Sequence, residues 1–145
     1  MEKPLDFPRA WELLGKDLFA RFVGVELLEI GPGRARTRLV VEERHRNGVG
    51  IIHGGAIFTL ADIAFAAAAN SHGRTAVALN ASVSFVTASR GAVLLAEAVE
   101  TSRGRRTATY HVEVRDDLGE KVALFQGLAY IKERTTLKEG RNDEE

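Results

Sequence analysis

The chain predicts an α+β fold in which one long apolar helix packs against an extended antiparallel sheet. Two observations carry this. The segment from Ala56 to Asn70 is rich in Ala with Asp62 as its one ionisable side chain, and six other stretches read as strands set off by turns and loops. A helix that apolar belongs in an interior, and a sheet with one dry face is a surface that can cover it.

With 145 residues, 45% of them apolar, the chain is expected to form one domain with a real core. Trp11, Leu14, Leu18 and Phe22 recur at spacings of three and four, which predicts an amphipathic helix over about 8–22, with Pro8 in its first turn and Gly24 at its end. Val25 to Ile30 and Arg34 to Val41 read as a hairpin around Gly31-Pro32-Gly33. After a loop from Glu42 to Ile52 comes the apolar helix of roughly 54–70, closed by Ser71-His72-Gly73. Segments at about 75–87, 91–103, 106–116 and 120–132 predict an antiparallel meander. In the third of these Thr107, Thr109, His111, Glu113 and Arg115 alternate with Ala108, Tyr110, Val112 and Val114, giving one wet and one dry face. The tail from Glu133 to Glu145 is dense in charge without apolar periodicity and is expected to fray.

Twenty basic residues balance twenty acidic ones. A neutral chain lacks the broad positive potential of a nucleic-acid grip and is free to self-associate. No run approaches the roughly 18 to 20 apolar residues of a membrane span, and the opening MEKPLDFPRAWELL lacks the layout of a signal peptide, so a cytoplasmic protein without a membrane partner is expected. The absence of Cys excludes thiolate catalysis and Cys-based metal sites. His45, His53, His72 and His111 show no paired ligand spacing, so no metal is expected. Neither a phosphate loop of the GxxxxGK[ST] kind nor a GxSxG elbow is present.

Asp62 is the first candidate for chemistry. Most helix acids are solvated, but the residues one turn away, Phe58, Thr59, Phe65 and Ala66, carry no charge to pair with it. Burial would raise its pKa and make it a better base or nucleophile near neutral pH. Gly54 and Gly55 open the same helix. A Gly pair is often mere capping, yet first-turn N–H groups lack helical partners, sit at the positive end of the helix dipole and can hold a developing oxyanion. Eight residues separate Gly54 from Asp62, about 12 Å along the axis. One carbonyl is not readily served by both, so joint action predicts a homo-oligomer in which an antiparallel partner helix supplies Asp62. Asn47 by itself reads as a turn residue before Gly48, and His53 as a helix-flanking residue.

The run Asn47-Gly48-Val49-Gly50-Ile51-Ile52-His53-Gly54-Gly55, continuing through Ala-Ile-Phe-Thr-Leu-Ala to Asp62, resembles the hotdog-fold acyl-CoA thioesterases of the phenylacetate-degradation type, within the hydroxybenzoyl-CoA thioesterase superfamily. The resemblance covers roughly residues 20–132. It implies a hotdog fold, a long helix wrapped by an antiparallel sheet, with two units joined into one continuous sheet and usually a dimer of dimers. It implies hydrolysis of acyl-CoA to free acid and CoA without a cofactor. Gly54 would donate its N–H to the thioester carbonyl, Gly55 would help open the helix start, and Asp62 of the opposing subunit would activate water or attack. Asn47 matches the loop amide that orients carbonyl or water, and His53 the residue that shapes this loop and assists polarisation. Where relatives carry a hydroxyl or acid on the strand after the helix, this chain has Asn80 and Ser82 as substitutes. The Arg-Pro turn of many relatives is replaced by Val86-Thr87-Ala88-Ser89-Arg90, leaving Ser89 and Arg90 as candidates at the CoA edge. Arg103, Gly104 and Arg106 fall where similar enzymes bind the nucleotide end. Ala66 to Ala69 either leave room for an acyl or aryl group or serve close packing. Two alternatives share the fold: a non-catalytic acyl-CoA-binding module, and an acyl-thioester dehydratase, which would rest on a catalytic His.

Overall fold

The computed structural model describes residues 7–133. The charged tail expected to fray lies, from residue 134 on, outside the described residues. Two helices, α1 (Phe7–Gly15) and α2 (Leu18–Val23), stand where one helix over 8–22 was expected. The break has a local cause. The Asp17 carboxylate accepts the Ala20 N–H at 2.9 Å, so Asp17 starts a second helix rather than continuing the first. The apolar stripe is split as a result: Leu14 packs on the core, whereas Leu18 and Phe22 are 74% and 71% exposed. Gly24, at φ 98°, ends α2 in the left-handed conformation with its N–H on the Ala20 carbonyl.

Six strands follow: β1 (Val25–Gly31), β2 (Arg34–Val40), β3 (Ala76–Phe85), β4 (Val93–Arg103), β5 (Thr107–Asp116) and β6 (Lys121–Ile131). All pairs are antiparallel, in the order β1-β2-β4-β5-β6-β3. The β1–β2 hairpin and the β4–β5–β6 meander are as expected, but β3 does not precede β4 in the sheet. It pairs with β6 at the far edge, because residues 86–92 run back across the end of the sheet. The N–H groups of Val86 and Thr87 reach the Val122 carbonyl, and the Ala92 carbonyl accepts from Val41 beside β2.

The long helix α3 (Gly54–Ala69) lies on the inner face of this sheet, giving the expected α+β architecture. Leu60, Ala61, Ala64 and Ala68 are fully buried, as are Leu39, Ala98, Val112 and Phe125 on the strands facing it. Ala67, Ala68 and Ala69 therefore serve close packing. The fit leaves no room for a side chain at Gly127 on β6, where a Cβ would come within 2.6 Å of the Phe65 ring. Thr37 on β2 donates its hydroxyl to the Leu60 carbonyl at 2.9 Å, a buried polar group satisfied by α3. Asn70 caps the far end, bonding Ala66 behind it and Ala76 at the start of β3. Among the described residues no helix is long and apolar enough to cross a membrane.

Candidate active site

The loop from Val41 to His53 sets the entrance of α3. A short 3-10 turn, Glu43–His45, folds His45 into the interior, where it is 4% exposed. Its Nδ1 accepts the Glu42 N–H at 2.8 Å and its Nε2 lies 2.6 Å from the Val23 carbonyl. With Nδ1 accepting, Nε2 is the donor to the Val23 carbonyl, and His45 joins the loop to the end of α2. Its own carbonyl accepts the His53 N–H at 2.7 Å. Asn47 stitches the outer part of the loop: its Oδ1 accepts from Val49 at 3.0 Å and Ile51 at 3.2 Å. With the carbonyl thus committed, the Asn47 NH₂ group is left as a donor without a partner among the described residues. Gly50, at φ 90°, supplies the left-handed turn this closure needs.

The first turn of α3 allots its amides unequally. The Gly55 N–H goes to His53 Nδ1 at 2.8 Å, and those of Ala56 and Ile57 go to the His53 carbonyl at 3.0 and 3.3 Å. Among the described residues the Gly54 N–H has no partner. It sits at the positive end of a 16-residue helix. The Phe85 ring lies against the Gly54 Cα, since a Cβ there would be 3.0 Å from it, so a side chain at this position would have to displace the ring.

Asp62 is half-buried, and its carboxylate has no hydrogen-bond or ion-pair partner among the described residues. Burial raises its pKa, with the negative charge of Asp17 adding to the effect. Within one chain, Gly54 and Asp62 are about 12 Å apart along α3, so the structure does not bring them together.

The other expected site residues scatter. Asn80 pairs with Leu128 and Ser82 with Gln126, a register that turns both to the outer face of the sheet, away from α3. Ser89 is buried, donating to Asp116 Oδ2 at 2.7 Å and accepting from Gly91 N–H at 2.9 Å, and so closes a turn. Arg90 is exposed in the loop after Phe85, at the Gly54 end. Arg103 lies 3.5 Å from Glu100 Oε2, an oxygen that also accepts from Tyr110 at 2.5 Å and faces His72 Nε2 at 3.0 Å. Gly104 closes the β4–β5 turn onto Thr107 at 2.8 Å. Arg106 joins Arg105 and Arg74 around a recess of about 350 Å³. Arg74 was not legible from sequence, because some thirty residues separate it from the turn it meets. This basic recess lies by the C-terminal end of α3, opposite Gly54. Among the described residues no cluster of His, Asp or Glu is placed to hold a metal ion.

Comparison with known proteins adds to this geometry. Residues 49–123 match the thioesterase superfamily model. The acyl-coenzyme A thioesterase PaaI of Escherichia coli is 32% identical over 127 residues, spanning 84% of this chain and 91% of that protein. Its solved structure, from the phenylacetic acid degradation operon, superposes with a TM-score of 0.82 over 90% of this chain and 98% of that one. A mutant of the phenylacetic acid degradation protein PaaI from Thermus thermophilus is 41% identical, with a TM-score of 0.74 over 79% of this chain and 98% of that one. A Streptococcus mutans protein bound to acetyl CoA is 25% identical, with a TM-score of 0.72 over 77% of this chain and 90% of that one.

Proposed function

The chain belongs to the thioesterase superfamily and is a thioester hydrolase with the hotdog fold, and on that premise we propose that it cleaves acyl-CoA at sites shared between two copies of itself. The observation that carries this reading is the division of labour along α3: one open amide at Gly54, and one unpartnered, half-buried carboxylate two turns further on. Acyl-CoA as substrate agrees with the activity named for the E. coli relative and with the acetyl CoA bound to the S. mutans protein.

The thioester carbonyl accepts the Gly54 N–H, and the Asn47 amide orients carbonyl or water. Asp62 of the second copy takes a proton from water as its oxygen attacks the carbonyl carbon. The tetrahedral oxyanion is held at Gly54, where a fixed donor and the helix dipole meet the charge as it develops. Collapse breaks the C–S bond and expels the CoA thiolate, which is protonated as the free thiol. Direct attack by Asp62 to give an acyl-enzyme uses the same parts. His53 serves by fixing the helix entrance through Gly55. Arg106 and its neighbours offer forked donors for CoA phosphates.

The edge strand β3 supports the two-copy arrangement. It hydrogen-bonds to β6 on one side, and Val77, Leu79 and Phe85 along it are 42%, 57% and 56% exposed. A second β3 added antiparallel to this edge would continue the sheet, satisfy the free backbone groups and set the two α3 helices antiparallel. A dimer of such dimers gives the expected tetramer.

Free thiol release from a panel of acyl-CoAs, wild type against Asp62→Asn, tests the chemistry. Turnover lost with binding kept supports the reading. An unchanged rate in the variant removes Asp62 from the mechanism. Binding without release from any substrate favours the non-catalytic module. A monomer in sedimentation, fully active, would sink the shared site.

A further inference from the structure

The short helix α2 presents Phe19 and Phe22 at 61% and 71% exposure, two large rings on the surface of a neutral protein. They line, with Ala56 and Phe58 of α3, a groove of about 490 Å³ to which His53 and Gly55 also contribute. We propose that this groove holds the acyl group of the substrate and that Phe19 and Phe22 set a preference for uncharged apolar acyl groups, aromatic rings included. The inference rests on Gly54 as the carbonyl donor.

Position is the first argument. His53 and Gly55, the chain neighbours of Gly54 on either side, both line the groove, which puts it within reach of one substituent of a carbonyl held on the Gly54 N–H. The acyl group fits that place better than the CoA arm, because the phosphates would find no free cation there. Arg44, the one Arg or Lys on the lining, already bonds Glu42 at 2.8 Å and the Phe22 carbonyl. Size agrees too, since the volume lies in the range of small-molecule sites.

Registration is the second argument. The wall carrying Phe19 and Phe22 is not a loose flap. His45 Nε2 holds the Val23 carbonyl at 2.6 Å and Arg44 holds that of Phe22, so the loop that carries Asn47 and His53 also fixes α2. Groove and donor are thereby set at one distance from each other. A second copy of the chain has its own seat on the free edge of β3, where the exposed apolar residues and open backbone groups lie together.

Thiol release with acetyl-, hexanoyl-, phenylacetyl- and succinyl-CoA tests this on the full chain, comparing wild type with Phe19→Ser, Phe22→Ser and, as an exposed control on the same helix outside the groove, Leu18→Ser. The wild type should favour hexanoyl and phenylacetyl over acetyl and succinyl groups. Each Phe variant should lose about tenfold or more in kcat/KM for the two apolar acyl groups. Acetyl-CoA should change little, and Leu18→Ser should match wild type. Equal losses for all acyl groups, or none, would overturn the proposal. So would a variant that lowers the sedimenting mass without altering acyl preference, which would make the groove a contact between copies. Should the wild type release no thiol from any substrate, the hydrolytic reading fails, and the groove is judged by binding alone. Phenylacetyl-CoA must then bind more tightly than CoA in calorimetry, and Phe22→Ser must erase the difference.

Discussion

His53 Nδ1 accepts the Gly55 N–H at 2.8 Å, and in doing so leaves its neighbour Gly54 as the open donor of α3. His53→Ala removes this cap. It should lower stability by about 1 kcal/mol, the usual cost of a lost N-cap. Turnover should fall as well, since the unpaired Gly55 N–H then competes for the carbonyl. Thermal denaturation and kcat, measured together, check both effects.

Asp62→Asn should reduce kcat by at least about a hundredfold, the scale of a lost general base, with little change in binding. The acid limb of the wild-type kcat/KM profile should lie above the ordinary aspartate value of 3.8, because burial and the Asp17 charge raise the pKa of Asp62. The same shift has a sign for stability. A carboxyl that is harder to ionise folded than unfolded costs stability as pH rises from the ordinary value through the raised one. The variant escapes that cost, so it should melt higher than wild type at neutral pH. The gap should close as pH falls toward 3.8.

Ser89→Ala should affect stability rather than substrate affinity. Burial alone would raise the pKa of Asp116, yet hydrogen bonds from Ser89 at 2.7 Å and from the Leu118 and Glu120 amides at 2.9 Å hold it below the usual range. A carboxyl lowered in this way stabilises the fold above its unfolded value, and the effect is lost as pH falls through the folded one. Removing the hydroxyl should cost about 1 kcal/mol near neutrality. In acid the difference should shrink. A raised KM with unchanged melting would instead assign Ser89 to the substrate.

Gly127→Ala drives a methyl group into the Phe65 ring, which is itself packed 5.5 Å from Tyr110 and 5.7 Å from Phe125 between ring centroids. Overpacking of this kind should cost about 1–3 kcal/mol. Chemical denaturation measures it, and Phe65→Leu in the same chain should recover part of the loss.

Arg106→Ala should raise KM for acyl-CoA about tenfold, the scale of a lost charge-assisted bond, and should flatten its dependence on salt. An N-acetylcysteamine thioester of the same acyl group lacks the phosphates and should be hydrolysed as before. Equal effects on both substrates would remove the basic recess from CoA binding.

Much of this was written along the chain. The burial of α3 follows from fifteen residues with a single charge, and the strands from their alternation and turns, so local pattern was enough. It failed where a local competitor won: the stripe from Trp11 to Phe22 reads as one helix until Asp17 caps its own. It failed again where pairing is distant, because nothing near β3 says that it joins β6 and not β4. The site divides in the same way. Gly54, Asn47 and Asp62 lie in one run and could be read from it. The recess of Arg74 and Arg106, and the groove between Phe22 and Phe58, are each assembled from separate elements: Arg106 could be read from its turn, but nothing local marks Arg74 as its neighbour or Phe22 as lining one groove with Phe58.

The allotment of amides at the start of α3 also makes a reporter. Most N–H groups of that helix are locked in a buried hydrogen-bonded ladder and should exchange with solvent hydrogen slowly, while Gly54, left open, should exchange fast. A carbonyl seated on it would close that one amide. Its nitrogen resonance would then record occupancy of the site directly, in an inactive Asp62→Asn protein as readily as in an active one.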